Sequence, residues 1–221
     1  MWLKICANTN VEDALLAAEL GADALGFVFA ESSRQVTAQQ VKAITRNLPP
    51  TLELVGVFTH HTEDQICAAV AEAGLTAVQL HRGIDLDLTR RLMHLLGPKI
   101  SIIQTVHWRV DAATEAEREV AARISELARA DTLARVLVDA KLGARSGGLG
   151  VPFDWALARR VLSSQPKLQL IVAGGLTPEN VAVAIRDLAP WGVDVASGVE
   201  KGPGRKDPEK LKRFIANARG A

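Results

Sequence analysis

Two residues with acid–base chemistry stand at the ends of short apolar runs. Cys6 ends the first run, and Asp139 follows Val136–Val138. A cysteine thiolate can act as a general base. A carboxyl group at the end of an apolar strand is costly to bury, and function often explains that cost. The two residues are therefore a candidate acid–base pair. The alternatives are that Cys6 is a small buried hydrophobe and that Asp139 is a capping or structural residue.

Two glycine-containing turns form a candidate anion site. Gly174 and Gly175 follow one apolar run, and Ser197 and Gly198 follow the next. Glycine lets backbone N–H groups approach a phosphate closely, and a helix N-terminus adds partial positive charge. One such turn alone would indicate only a tight turn, but two after consecutive strands predict a phosphate site.

Several other residues could in principle take part in catalysis or binding, but each also has a simpler explanation as a surface or structural residue. Arg34 follows the second apolar run, where a guanidinium could hold a carboxylate through two hydrogen bonds, although alone it resembles a surface residue. His60 and His61 are expected to face solvent, because no third metal ligand has suitable spacing. Cys67 lies in a helical pattern and Asp194 within the last apolar run, so both are expected to be structural.

The scaffold that positions these residues alternates strands with helices. Eight short runs are almost continuously apolar, which is typical of strands buried on both faces of a parallel sheet. These runs are Trp2–Cys6, Ala24–Phe29, Leu52–Phe58, Ala77–Leu80, Ile100–Thr105, Val136–Val138, Leu168–Ala173 and Val193–Ala196. Helical patterns lie between them, at Val11–Leu20, Glu63–Glu72 and Ala112–Ala130, with further starts at Thr177 and Asp207.

Eight strand-like runs, each followed by a helix-like segment, predict an α/β protein with a (β/α)8 barrel, or TIM barrel. We expect a single domain over residues 1–221. A doubly wound sheet is the alternative, but it usually has only about five or six strands. In a barrel the active site lies at the C-terminal ends of the strands, and the candidate residues all fall there.

The composition indicates which binding partners and which cellular compartment to expect. The 221 residues are 48% hydrophobic, enough for a sizeable core, and the net charge of +1 favours neither nucleic acid nor a membrane. The two cysteines form no CxxC pair, so neither a zinc site nor a disulfide framework is indicated. The N-terminus lacks a signal-peptide pattern and no apolar stretch reaches about 18 residues, so we expect a reduced, cytoplasmic protein.

Motifs in order along nearly the whole chain resemble those of the phosphoribosylanthranilate isomerase family of tryptophan biosynthesis. The motifs are Lys4-Ile5-Cys6, Gly21–Phe29, Ser33–Val36, Val55–Phe58, Ala77–His81, Asp139, Gly147-Gly148, Phe153–Trp155, Ala173–Val181, Gly192–Val195, Ser197–Glu200 and Pro203–Asp207.

The resemblance implies an Amadori rearrangement without a metal or cofactor. N-(5-phosphoribosyl)anthranilate would become 1-(2-carboxyphenylamino)-1-deoxyribulose 5-phosphate, so the only implied partner is a phosphorylated small molecule, and a monomer or a homodimer fits equally. Cys6 would be the general base, Asp139 the general acid, and Arg34 a contact of the anthranilate. Substrate binding is further expected at His81 and Gly148, with the phosphate held by Gly174, Gly175, Ser197 and Gly198.

The chain departs from the family pattern around the same face. Ala7-Asn8-Thr9 stands where the family usually has Gly-Ile-Thr, Ser33 replaces a proline, and Arg82 replaces a glycine. Leu149 interrupts the usual glycine loop, and Gln104–Trp108 lacks the usual pattern. Two alternatives therefore stay open: a paralogue that rearranges another phosphorylated N-glycoside or amino sugar, and a catalytically silent barrel that binds a phosphorylated ligand.

Overall fold

The fold is a closed barrel of eight parallel strands, joined in the order β1 to β8. The computed structural model describes residues 1–109, 113–130, 133–141, 159 and 167–221. The strands are β1 (Trp2–Ile5), β2 (Ala24–Val28), β3 (Glu53–Phe58), β4 (Ala77–Leu80), β5 (Ser101–Arg109), β6 (Arg135–Lys141), β7 (Gln169–Ala173) and β8 (Gly192–Val195). The predicted barrel is confirmed, and the doubly wound sheet is excluded because β1 pairs with β8.

Seven α-helices lie in the described residues. They are α1 (Val11–Glu19), α2 (Ala38–Thr45), α3 (Glu63–Ala73), α4 (Leu86–Leu96), α5 (Ala113–Ala130), α6 (Val181–Leu188) and α7 (Pro208–Arg219). Side-chain caps start several of them: Thr62 accepts from the amide of Gln65, and Asp207 accepts from two amides of the first turn of α7. Within the described part of the chain, no helix combines the length and apolar character that crossing a membrane requires.

Three predicted boundaries were wrong by more than one residue. The helix expected from Thr177 begins at Val181, because the Asn180 carboxamide accepts from the Thr177 amide at 2.8 Å and holds the segment as a turn. Strands β5 and β6 both run past their apolar cores, since Val106–Arg109 pairs in register with Val138–Lys141. Asp139 therefore lies within β6 and not at its end.

The interior of the barrel is a small apolar layer beneath polar groups. Ala77, Ile103 and Leu137 belong to the cluster inside the barrel, whereas a larger cluster packs the strands against the helices. Side chains alternate along a strand, so every second residue after these three also faces inward. The alternation carries His81, His107 and Asp139 to the C-terminal end of the barrel interior, which we call the upper mouth.

After β8 the chain makes an excursion that the sequence patterns did not predict. A single turn of 3-10 helix at Ser197–Val199 leads into a two-stranded antiparallel ribbon, β9 (Glu200–Gly202) and β10 (Arg205–Lys206). The ribbon brings Lys206 to within hydrogen-bond distance of the Cys6 carbonyl. It therefore delivers charged residues to the upper mouth before α7 begins.

Candidate active site

Cys6 sits directly above β1 in a tightly fitted position. Its amide donates to the carbonyl of Val195 at 2.8 Å, and the residue is 7% exposed. Gly26 on the neighbouring strand makes room for the thiol, since a Cβ there would lie 2.6 Å from Sγ. The next residue, Ala7, is buried with a φ of 61°, a left-handed conformation that favours glycine. Glycine would adopt this conformation without the strain that the Ala7 side chain causes.

Two buried ammonium groups flank the thiol. Burial raises the pKa of Cys6, whereas the charges of Lys4 and Lys206 act to lower it. Lys4 lies one inward position below Cys6, fully buried, and forms an ion pair with Asp194 Oδ2 at 3.1 Å. Burial alone would lower the pKa of Lys4, but the facing carboxylate of Asp194 outweighs it and keeps the ammonium charged. Both lysines are therefore placed to stabilise a thiolate.

Asp139 faces two histidines from the neighbouring strands. Its Oδ2 lies 3.5 Å from His107 Nδ1 and 3.8 Å from His81 Nε2, and its side chain is 16% exposed. The Asp139 carboxylate also interacts electrostatically with Asp194, which interacts with Cys6 as well. Asp194 is therefore within electrostatic reach of both predicted groups, and its charge acts to raise the pKa of the Cys6 thiol.

Arg34 is held over the mouth by a carboxylate of the chain itself. Its Nε and Nη2 bind Glu200 at distances of 2.6 to 3.0 Å, and Lys206 Nζ approaches the same carboxylate at 3.4 Å. Burial alone would raise the pKa of Glu200, but its bonds to Arg34 and the charges of Lys206 and Arg34 outweigh burial and lower it. The result is a fixed guanidinium whose side chain remains 28% exposed.

The two glycine turns contact each other at the rim. Gly174 and Gly175 adopt φ values of 89° and 68°, and Asn180 pins the turn by donating to the Gly175 carbonyl at 2.9 Å. Gly198 approaches so closely that a Cβ on it would meet the Leu176 carbonyl oxygen at 1.9 Å. Gly175 and Ser197 are exposed to solvent. The two turns of the predicted phosphate site therefore lie side by side, and that site remains a prediction.

Most predicted site residues gather at the upper mouth. Gly148 lies outside the described residues. Sequence reasoning missed His107, Glu200 and Lys206 as members of the site. Of these three, only His107 could have been predicted from the sequence. It lies four residues after Ile103 on β5, and an even spacing on a strand places both side chains on the same, inward face. A separate cavity of about 620 Å³ lies beside the β4–α4 loop and is lined by residues that include His60, Arg82 and Glu126, not by the acid–base pair.

Comparison with known proteins gives a consistent result. Residues 3–217 match the family model described as N-(5'phosphoribosyl)anthranilate (PRA) isomerase. An N-(5'-phosphoribosyl)anthranilate isomerase of Pelobacter propionicus is 39% identical over 218 residues, which cover 98% of this chain and 95% of that protein.

Two solved structures resemble the whole chain, each with a TM-score of 0.81 and complete coverage of both chains. One is a phosphoribosyl anthranilate isomerase in complex with reduced 1-(o-carboxyphenylamino)-1-deoxyribulose 5-phosphate, 33% identical to this chain. The other, 34% identical, comprises monomers generated from the dimeric isomerase of Thermotoga maritima.

Proposed function

The chain belongs to the phosphoribosylanthranilate isomerase family, and we propose that Cys6 and Asp139 perform the isomerisation as its general base and general acid. The observation that carries this assignment is that Cys6, directly after β1, and Asp139, on β6, both lie at the C-terminal end of the barrel interior. The family match favours this reaction over rearrangement of a different glycoside and over a silent barrel.

The reaction requires two proton transfers, at the ring oxygen and at C2, the two ring atoms bonded to C1. Asp139 donates a proton to the ring oxygen of the furanose, the C1–O bond breaks, and the nitrogen lone pair forms an iminium at C1. The iminium acidifies the C2 proton, which Cys6 removes to give an enolamine. The enolamine then tautomerises to the ketone. Each transfer by a positioned side chain accelerates a reaction by about 10²–10⁴-fold.

Cys6 must be a thiolate when it removes the C2 proton. Burial opposes that state by raising the pKa of the thiol, and Lys4 and Lys206 favour it. The two lysines offset part of the effect of burial, and the pKa of the thiol remains raised.

Arg34 and the glycine turns would hold the two ends of the substrate. A guanidinium fixed by Glu200 is prepared for the anthranilate carboxylate, because its orientation is set before the substrate arrives. The exposed turns around Gly175 and Ser197 suit the phosphate. His81, beside Asp139, is assigned to the substrate as well.

Oligomeric state and compartment are further parts of the proposal. A homodimer is supported by the dimeric relative from Thermotoga maritima, although a monomer fits the barrel equally well. A cytoplasmic location is supported by membership of a biosynthetic family and by two free cysteines.

The direct test is turnover of N-(5-phosphoribosyl)anthranilate by the purified chain, together with growth rescue of a tryptophan auxotroph that lacks this isomerase. We expect the wild type to rescue and Asp139→Asn to fail. A folded chain that binds the product analogue without any turnover would instead establish the silent barrel.

A further inference from the structure

The cluster of His81, His107 and Asp139 has the composition of a metal site as well as that of an acid–base centre. One ring nitrogen of each histidine and one oxygen of Asp139 all lie within 4.8 Å of one another. We propose that these three residues bind a divalent transition metal of the Zn²⁺ class, and that the bound ion inhibits the enzyme. The inhibition, unlike the binding, rests on the proposed role of Asp139.

The donor set matches this class of ion. Two imidazole nitrogens and one carboxylate oxygen are favoured by zinc and by its neighbours nickel and copper, whereas magnesium and calcium prefer oxygen alone. Ligands that bind tetrahedral zinc at about 2.1 Å lie roughly 3.4 Å apart. His107 Nδ1 and His81 Nε2 already lie 3.5 and 3.8 Å from Asp139 Oδ2. The distances from Asp139 Oδ2 to the two histidine nitrogens therefore need to shorten by well under an ångström for all three atoms to bind one ion.

The three ligands are carried by consecutive elements of a rigid sheet. His107 and Asp139 are register partners on β5 and β6, and His81 directly follows β4. The two imidazole rings meet edge to face, with centroids 4.6 Å apart and planes at 80°. A stacked pair would point its nitrogens in parallel, whereas this arrangement lets one nitrogen of each ring approach the carboxylate.

The three side chains are also partly exposed at the upper mouth. The side chains of His81 and His107 are 28% and 33% exposed, and that of Asp139 is 16% exposed. Three protein ligands with an accessible remaining position are the arrangement of open zinc sites rather than of closed structural ones. An ion bound there would occupy the Asp139 oxygen that the isomerisation uses to deliver a proton.

The binding test uses Co²⁺ alone as the probe, with the wild-type chain and two matched variants. His107→Gln removes one ligand. His94→Gln makes the same substitution at an exposed histidine on α4. We expect one Co²⁺ per chain with visible d–d absorption and no thiolate-to-metal charge transfer. His107→Gln should weaken binding by at least about 100-fold, because losing a direct ligand costs at least as much as losing a residue that only hydrogen-bonds to a ligand. His94→Gln should leave binding unchanged.

Three results would overturn the site: no saturable binding, equal binding in His107→Gln, or a charge-transfer band from a cysteine. If His107→Gln fails the folding check by circular dichroism, His81→Gln serves as the second ligand variant. The second part of the proposal, inhibition by the bound ion, is tested by adding Zn²⁺ to the active enzyme. We expect inhibition that a chelator reverses and that the ligand variant lacks. Binding without inhibition would leave the metal site standing and contradict the role of Asp139.

Discussion

The two ends of the barrel hold polar groups under opposite conditions. At the lower end, Glu53 accepts from Arg135 at 2.6 and 2.7 Å, from the Trp2 indole at 3.0 Å and from the Ser101 hydroxyl at 2.7 Å. Trp2 stacks on Trp191 with ring centroids 5.5 Å apart, and the Arg135 guanidinium lies over both rings. This network is closed, since each charged group meets a partner within the protein.

At the upper end, His107 and Arg34 retain capacity for a ligand. His107 Nδ1 is buried without a hydrogen-bond partner among the described residues, and its contact to Asp139 is long at 3.5 Å. Arg34 stays partly exposed above the mouth. The barrel therefore separates its polar groups by height: a closed network lies at the lower end, and the candidate acid–base pair lies with His107 and Arg34 at the upper end, where barrels carry their active sites.

The largest effect should come from the upper end. Cys6→Ser is expected to lower kcat by at least about 100-fold, because serine is a far poorer base in the same position. Steady-state kinetics with N-(5-phosphoribosyl)anthranilate measures it, with circular dichroism to check folding. Cys67→Ser, the same change on α3, is the control and should retain activity. A near-normal kcat in Cys6→Ser would remove the base from the mechanism.

Arg34→Ala should act mainly on binding. Loss of a partly buried, charge-assisted hydrogen bond costs about 1.5–3 kcal/mol, which raises KM roughly 10- to 150-fold. The comparison substrate is the aniline analogue, which lacks the carboxylate. We expect the variant and the wild type to handle that analogue equally well. An equal penalty on both substrates would mean that Arg34 only supports Glu200.

Glu200 gives the upper end a characteristic sensitivity to acid. Its pKa is lowered in the folded protein, so it contributes stability above its unfolded pKa, and this contribution is lost as the pH falls through the lower, folded value. Unfolding measured between neutral pH and about pH 3 should therefore show a steeper loss for the wild type than for Glu200→Gln. Glu72→Gln, at an exposed glutamate, should follow the wild type. Parallel curves for the wild type and Glu200→Gln would contradict the assignment.

The smallest effect concerns the strained residue beside the base. Ala7→Gly should raise the free energy of unfolding by about 0.5–1 kcal/mol, since relief of the left-handed strain exceeds the added freedom of the unfolded chain. Chemical denaturation measures it. A destabilised variant would show that the Ala7 side chain contributes packing that outweighs the strain.

Sequence patterns predicted the features that depend on residues close together in the chain. Apolar runs and caps located the barrel, and the position of Cys6 at a strand end marked the mouth. The sequence predicted His81 and Asp139 as site residues but not His107. These three residues are distant in sequence and meet only through strand register. The position of Lys206 beside Cys6 could not be predicted for a similar reason. The ribbon that brings it there is too short to show an alternating hydrophobic pattern.

The most direct test of this division compares two substitutions four residues apart on β6. Asp139→Asn should lower kcat by at least about 100-fold while changing the free energy of unfolding by less than about 1 kcal/mol. Arg135→Gln should keep kcat near the wild-type value but lose about 2–4 kcal/mol of stability, because the Glu53 carboxylate loses its charged partner. Measuring kcat and denaturant unfolding on both proteins decides the matter. If Arg135→Gln lost activity while Asp139→Asn lost mainly stability, the separation by height would be contradicted.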